Sequence, residues 1–212
     1  MLKKLLLAAA VLGIVLYFVS AQLQANNAET EAYRTRIRQQ RREKNRNFRL
    51  SPESPLSVEQ RQRFDSLKYY PLNRDWRVTQ ARLQRFALPT TVKLTMSDGK
   101  QEAYRRYGQV TFTGTGEAVS QAFTLTLFQR LAGTDSTLFV PFTDLSNGRE
   151  TYGGGRYLDV ALPAAEAKLM ELDFNQAYNP YCAYNDGYSC PVPPVENRLQ
   201  VAIPAGEKAF HE

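Results

Sequence analysis

Between Asp144 and Asn197 the chain gathers polar and aromatic residues of the kinds that bind or transform small molecules. Asp144, Asp173 and Glu196 are acidic and Arg149 and Arg156 basic. Thr151, Tyr152, Tyr157, Asn175, Tyr178, Asn179, Tyr184 and Asn197 add hydroxyl, ring and amide groups. Three chemistries are open to such a set. A buried Arg156 facing two or three of the carboxylates would satisfy all of them as a structural network. Arg156 and Arg149 in a pocket would instead engage an anionic ligand while the four tyrosines stack on it, a common make-up of small-molecule and sugar sites. Two carboxylates in environments that push their pKa values apart could serve a hydrolase as acid and base. The structural network is the preferred reading. No catalytic residue is assigned, and the balance lies against an enzyme.

Other chemistries are excluded by what is missing. The one histidine, His211, is next to the C-terminus, which removes histidine-dependent triads, histidine-rich zinc sites and haem ligation. No metal site and no cofactor are expected. The glycines of Thr151-Tyr-Gly-Gly-Gly-Arg156 would cradle phosphate only if a helix followed, and Arg156 to Leu162 reads as a strand. Those glycines are expected to supply positive φ or to let another segment come close. Cys182 and Cys190 lie eight residues apart in a turn-rich loop and are expected to form a disulfide. Metal binding would need two further soft ligands, and redox catalysis usually spaces its cysteines more closely.

The elements that must position these residues begin with a targeting segment. Lys3 and Lys4 precede an apolar run from Leu5 to Val19, and Val19-Ser20-Ala21 fits a small-residue cleavage site. The run is long for a signal-peptide core and short for a membrane span. Tyr17 and Phe18 would suit the interface of an uncleaved anchor, so residues 1–21 read as a signal peptide or a membrane anchor. Either sends the remainder out of the cytosol, into the periplasm, onto the membrane or into the medium. Residues 22–66 read as a charged helical stalk and linker, with Tyr33, Ile37 and Phe48 as the only large apolar residues from Asn27 to Phe48. Ten Lys or Arg lie between Arg34 and Arg63, so the stalk carries the surplus behind the net charge of +6. That placement argues against nucleic acid. It favours anionic lipid headgroups, with the membrane as partner if the N-terminal segment is uncleaved. A protein partner is not identified.

Ser57 and Gln60 have the spacing of a capping box for a short helix through Phe64. From residue 67 onward the pattern is short strands: Asp75 to Phe86, Thr91 to Met96, Tyr104 to Thr113, Val119 to Gln129, Leu138 to Phe142, Gly155 to Leu162, Lys168 to Phe174 and Leu199 to Ile203. Ser97-Asp98-Gly99 and Gly114-Thr-Gly-Glu are turn signals. About eight strands in succession without intervening helices predict an all-β domain over 67–212, an antiparallel sandwich or barrel.

Long motifs run through this domain: Tyr107-Gly108, Phe139-x-Pro-Phe-x-Asp144, Gly148-x-x-Thr151-Tyr-Gly-Gly-Gly-Arg156-Tyr157-Leu158 and Leu172-Asp-Phe-Asn175. Asn179-Pro-x-Cys182-Ala-Tyr184, Cys190-Pro-x-Pro-Pro-x-Glu196-Asn197 and Ala205-Gly206-Glu207 follow. Together they resemble the domain of unknown function family 1684 over roughly Leu67 to Lys208. The lead-in Arg42-Glu-Lys-Asn, Phe48 and Ser54-Pro-Leu is similar to secreted or membrane-tethered members. The resemblance implies an envelope-associated, mostly β domain, and it supplies no catalytic residue.

Overall fold

The computed structural model describes residues 2–114, 121–131 and 136–210, with side chains from residue 12 onward apart from that of Pro89. The Gly114-Thr-Gly-Glu reversal, the start of the strand expected from Val119, and His211 lie outside the described residues. The chain divides into two compact units, Met1–Lys44 and Asn45–Glu212.

Helix α1 runs from Leu2 to Leu50. In the first unit its polar stretch carries pairs one turn apart that support an exposed helix, such as Gln22 with Asn26, Arg34 with Glu31 and Gln39 with Glu43. Leu12 and the apolar residues from Ile14 to Val19 are exposed. Among the described residues no helix is long and apolar enough to cross a membrane.

In the second unit, Leu50 ends α1 and a Ser-Pro linker leads to α2, Val58–Arg63. The expected capping box starts α2. Ser57 Oγ accepts from the Gln60 backbone amide at 3.2 Å, and the Gln60 side chain accepts from the Ser57 amide at 2.8 Å.

Six strands follow: β1 Arg77–Thr95, β2 Gln101–Thr113, β3 Ala122–Arg130, β4 Thr137–Phe142, β5 Arg156–Ala161 and β6 Leu169–Asp173. They form one antiparallel sheet in the order β5-β4-β3-β2-β1-β6. The outer strands β5 and β6 approach each other, so the sheet curls into a nearly closed barrel. Seven of the eight expected segments fall on these six strands. Two of them merge into β1, whose pairing with β2 shifts between Arg85 and Thr90. Pro89 has no N–H to give a ladder, and the irregularity absorbs it without ending the strand. The last, Leu199 to Ile203, bends at Gln200 and Val201 and stays outside the named strands, tied by Leu199 donating to Thr143 O at 2.8 Å and Leu145 to Val201 O at 3.0 Å.

Alternation along the strands fills the interior. Val110, Leu125, Leu138, Val140 and Leu172 are buried there. Phe174 stands at the centre, 5.8 Å from the Trp76 ring, 5.5 Å from Phe112 and 5.4 Å from Phe142. Edge and tilted ring contacts of this kind are favoured by the ring quadrupole. A second cluster holds Leu94, Tyr104, Phe128, Phe139 and Tyr157, and a third holds Phe48, Leu56, Phe64, Leu67 and Tyr184.

Candidate functional site

Gly155 places the first motif residue. Its φ of +92° is open to glycine but strained for other residues, and a Cβ there would lie 2.7 Å from both Phe142 O and the Pro193 ring. The expected role of the glycine run, positive φ with close approach, is met at this position. From here β5 sends the Arg156 side chain inward, where it has no exposure. Its Nη2 donates to Asp144 Oδ2 at 2.7 Å and to Ile203 O at 3.0 Å, and its Nη1 to Ala205 O at 2.5 Å. The guanidinium lies 5.4 Å from the Phe142 ring centre. Asp144 in turn accepts from the amides of Ser146 at 2.8 Å and Ile203 at 3.3 Å. A buried ion pair is tolerated when most of its remaining donors and acceptors are hydrogen-bonded; here the backbone serves both Nη atoms and Asp144 Oδ1, while Arg156 Nε is buried without a partner.

The backbone in question is a strap, residues 203–209, laced across the unit. Tyr70 donates to Gly206 O, Glu207 to Ala177 O, Lys208 to Lys68 O and Ala209 to Glu150 O, all at 2.9–3.0 Å. The Asn179 side chain donates to Lys208 O at 2.8 Å and reaches the buried Glu207 carboxylate, which also accepts from the Tyr184 hydroxyl.

Asn197 performs a second closure. Strands β3 and β4 pair only at Phe128 and Phe139. Past that point the Asn197 amide bridges them: it accepts from Thr126 N at 2.7 Å and donates to Thr126 O at 2.9 Å and Pro141 O at 2.7 Å. A side-chain amide thus stands where a backbone ladder is missing.

The carboxylates are dispersed, which corrects the expectation of an arginine facing two or three of them. Arg156 takes Asp144 alone. Asp173 caps the short turn after β6, accepting from the Asn175 backbone and side chain at 3.1 Å each and from Gln176 at 3.0 Å. Asn175 also exchanges hydrogen bonds with the Asn73 backbone. Glu196 is exposed and reaches Arg106 at 3.9 Å. Arg149 is exposed, and Thr151 is buried against Ser146 at 2.8 Å. The strap, the capped turn and the surface each draw carboxylates of their own, because each nearby element has amides or a cation to satisfy.

Tyr157 and Tyr178 pair edge to face at 5.7 Å while their backbones exchange hydrogen bonds, and each hydroxyl is engaged separately. Burial pushes the Tyr157 phenol far above its ordinary pKa, and its hydroxyl donates to Pro191 O. Burial, with Asp159 next to it, also raises Tyr178, whose hydroxyl donates to Asp159 at 2.5 Å. Tyr152 is half-buried with its hydroxyl 3.8 Å from Cys182 Sγ, and burial with that thiol pushes it up to about 12.

The cysteines depart from expectation: both are free thiols. They nevertheless face each other. The Cys182 amide donates to Cys190 Sγ at 3.2 Å. The arrangement is that of the reduced form of a pair.

An open cleft of about 820 Å³ lies elsewhere, between α2 with residues 64–68 on one side and residues 183–186 on the other, with Phe210 beside them. Glu59, Arg63, Asp65, Lys68 and Asp186 carry its charges, and Phe64, Tyr184 and Phe210 its rings. Gln60 Nε2 reaches Tyr184 O at 3.3 Å and Asn185 Nδ2 reaches Pro55 O at 3.2 Å. Of the candidate site residues between Asp144 and Asn197, Tyr184 lines it, and Ser57 and Gln60 of the capping box line it too. The capping box marks one wall, but it gives no sign that the opposite wall comes from a loop 124 residues further along.

The architecture is a nearly closed antiparallel barrel whose motif residues bond within the protein. Residues 62–208 match the profile of a protein family of unknown function, DUF1684, and the chain belongs to that family. The solution NMR structure of an uncharacterized protein from gene locus rrnAC0354 of Haloarcula marismortui is similar, with 36% sequence identity and a TM-score of 0.66. The match covers 85% of this chain and 96% of that one. No curated protein matches.

Proposed function

We propose that this chain is a non-catalytic structural and interaction module of the cell envelope, held outside the cytosol on its N-terminal helix. The observation that carries the role is the engagement of the motif residues. Arg156, Asp144, Asn179 and Asn197 are buried and hydrogen-bonded to the protein itself, so they hold the fold and leave no reactive group facing a cavity. Two lysines, an apolar run and a small-residue site at the N-terminus support export, and the exposed apolar residues 12–19 are compatible with either a signal peptide or an anchor. The arginines from Arg34 to Arg42 are placed to meet anionic headgroups if the segment is retained.

The cleft favours a second reading, a small-molecule or sugar-binding module, because rings beside mixed polar groups are the usual lining of such sites. Amide chemical-shift mapping of the full chain against a panel of sugars and small acids tests both. Shifts confined to the cleft residues support binding there, and no shifts support a structural role. Shifts centred on Arg156 and Asp173, or turnover of any member of the panel, contradict the proposal. A reporter enzyme that is active only outside the cytosol, fused after residue 212, tests location; an inactive reporter contradicts it.

A further inference from the structure

Cys182 and Cys190 border a loop, and the two ends of that loop are held differently. Cys190 is pinned to the end of β1: Ser97 donates to Cys190 O at 2.8 Å, the Cys190 amide to Ser97 Oγ at 3.0 Å, and Val192 to Thr95 O at 2.8 Å. Cys182 sits in a single turn, Tyr181–Ala183, beside Tyr152 and is only half-buried. Between them residues 185–189 are exposed. The same loop supplies Ala183, Tyr184, Asn185 and Asp186 to the wall of the cleft.

We propose that Cys182 and Cys190 are a thiol–disulfide exchange site, closed by an oxidised dithiol partner, and that closure clips the loop that forms one wall of the cleft. The accessible Cys182 attacks and the buried Cys190 resolves. A Cys182 thiolate attacks one sulfur of the partner's disulfide, forming a mixed disulfide and releasing one partner thiolate. Cys190 then loses its proton and attacks Cys182 Sγ, releasing the second partner thiolate. Two electrons pass to the partner, its disulfide becomes two thiols, and the protons of Cys182 and Cys190 end on them or in solvent. Cys190 Sγ already lies 3.2 Å from the backbone nitrogen of Cys182, so little rearrangement is needed to bring the two sulfurs together. Hydrogen bonds from Cys190 and Tyr152 also favour the thiolate on Cys182, whereas Cys190 is held protonated.

The test equilibrates the reduced full chain in mixtures of oxidised and reduced glutathione, followed by intact mass after alkylation and by hydrogen exchange. The expected result is loss of two hydrogens with both cysteines protected, and exchange in residues 183–189 slowed by about tenfold or more. Cys190→Ser should accumulate a glutathione adduct on Cys182, and Cys182→Ser should accumulate none on Cys190. Thiols that stay open to alkylation across the series, linkage between chains only, or an adduct on Cys190 would overturn the exchange site. A disulfide that forms without slowing exchange in the loop would overturn the clip.

Discussion

The side-chain amide of Asn197 exchanges two hydrogen bonds with the backbone of Thr126, 71 residues earlier, as a neighbouring strand would. Asn197→Ala leaves a buried amide and two buried carbonyls without that partner, at about 1–3 kcal/mol for each group so exposed to loss. We expect a stability loss on the order of 3 kcal/mol in urea unfolding, with hydrogen-exchange protection at Thr126 falling before that of β1. Asn197→Asp should lose nearly as much, because a carboxylate cannot donate to Thr126 O and Pro141 O.

Gly206 turns the strap at φ +78°, and a Cβ there would lie 2.6 Å from Phe174 O and 2.7 Å from Ala177 O. Both atoms belong to backbone packed against the core, so the clash cannot be relieved by a rotamer. Gly206→Ala is expected to cost more than about 2 kcal/mol, the left-handed conformation and the contact both opposing it. Gly148→Ala at φ +75°, where a Cβ meets no atom within 4 Å, should cost only the conformational part. Thermal melting of the two variants separates the contributions, and equal losses would refute the close-approach argument.

The thiol chemistry has a pH signature. The hydrogen bond from Cys190, joined by those from Tyr152, its own backbone region and Ser97 and opposed by burial, brings Cys182 from 9.0 down to about 7. The thiolate is the reactive form, so alkylation of Cys182 should rise through pH about 7 and level off above it, while Cys190 stays slow. Cys190→Ala removes the largest stabilising contact, and the midpoint should move up toward the ordinary thiol value. An unshifted midpoint would assign the effect to other groups.

The barrel was legible because alternation survives in single strands: Phe123, Leu125 and Leu127 of β3 all point into the core, as their spacing with threonines requires. Ser57 with Gln60, and Gly155, announced themselves through chemistry that acts within a few residues. The partners of Arg156 were not legible. Three of them are backbone carbonyls between Ile203 and Glu207, and a carbonyl has no side-chain signature, so the eye falls on distant carboxylates instead. Asp75 to Phe86 and Thr91 to Met96 read as two strands until the β1–β2 irregularity between Arg85 and Thr90 is seen to join them. The cleft was hidden because its walls and Phe210 come from segments far apart in the chain: the capping box and the Cys182-Ala-Tyr184 motif each mark a wall, and neither tells that they meet.

The central claim is that the motif residues hold the fold, and Arg156 tests it most directly. Both side chains of the Arg156–Asp144 pair are fully buried at 2.7 Å. Removing one partner of such a pair typically costs about 3–5 kcal/mol, because the other charge is left buried and unpaired. Urea unfolding of the full chain carrying Arg156→Ala should show that loss, and Arg156→Lys should show much of it, since an ammonium cannot supply the forked donors. Joint replacement by Asp144→Leu and Arg156→Met should cost less than the sum of the single losses. An Arg156→Ala chain that unfolds at the wild-type urea concentration would contradict the account and return Arg156 to the role of a ligand-binding group.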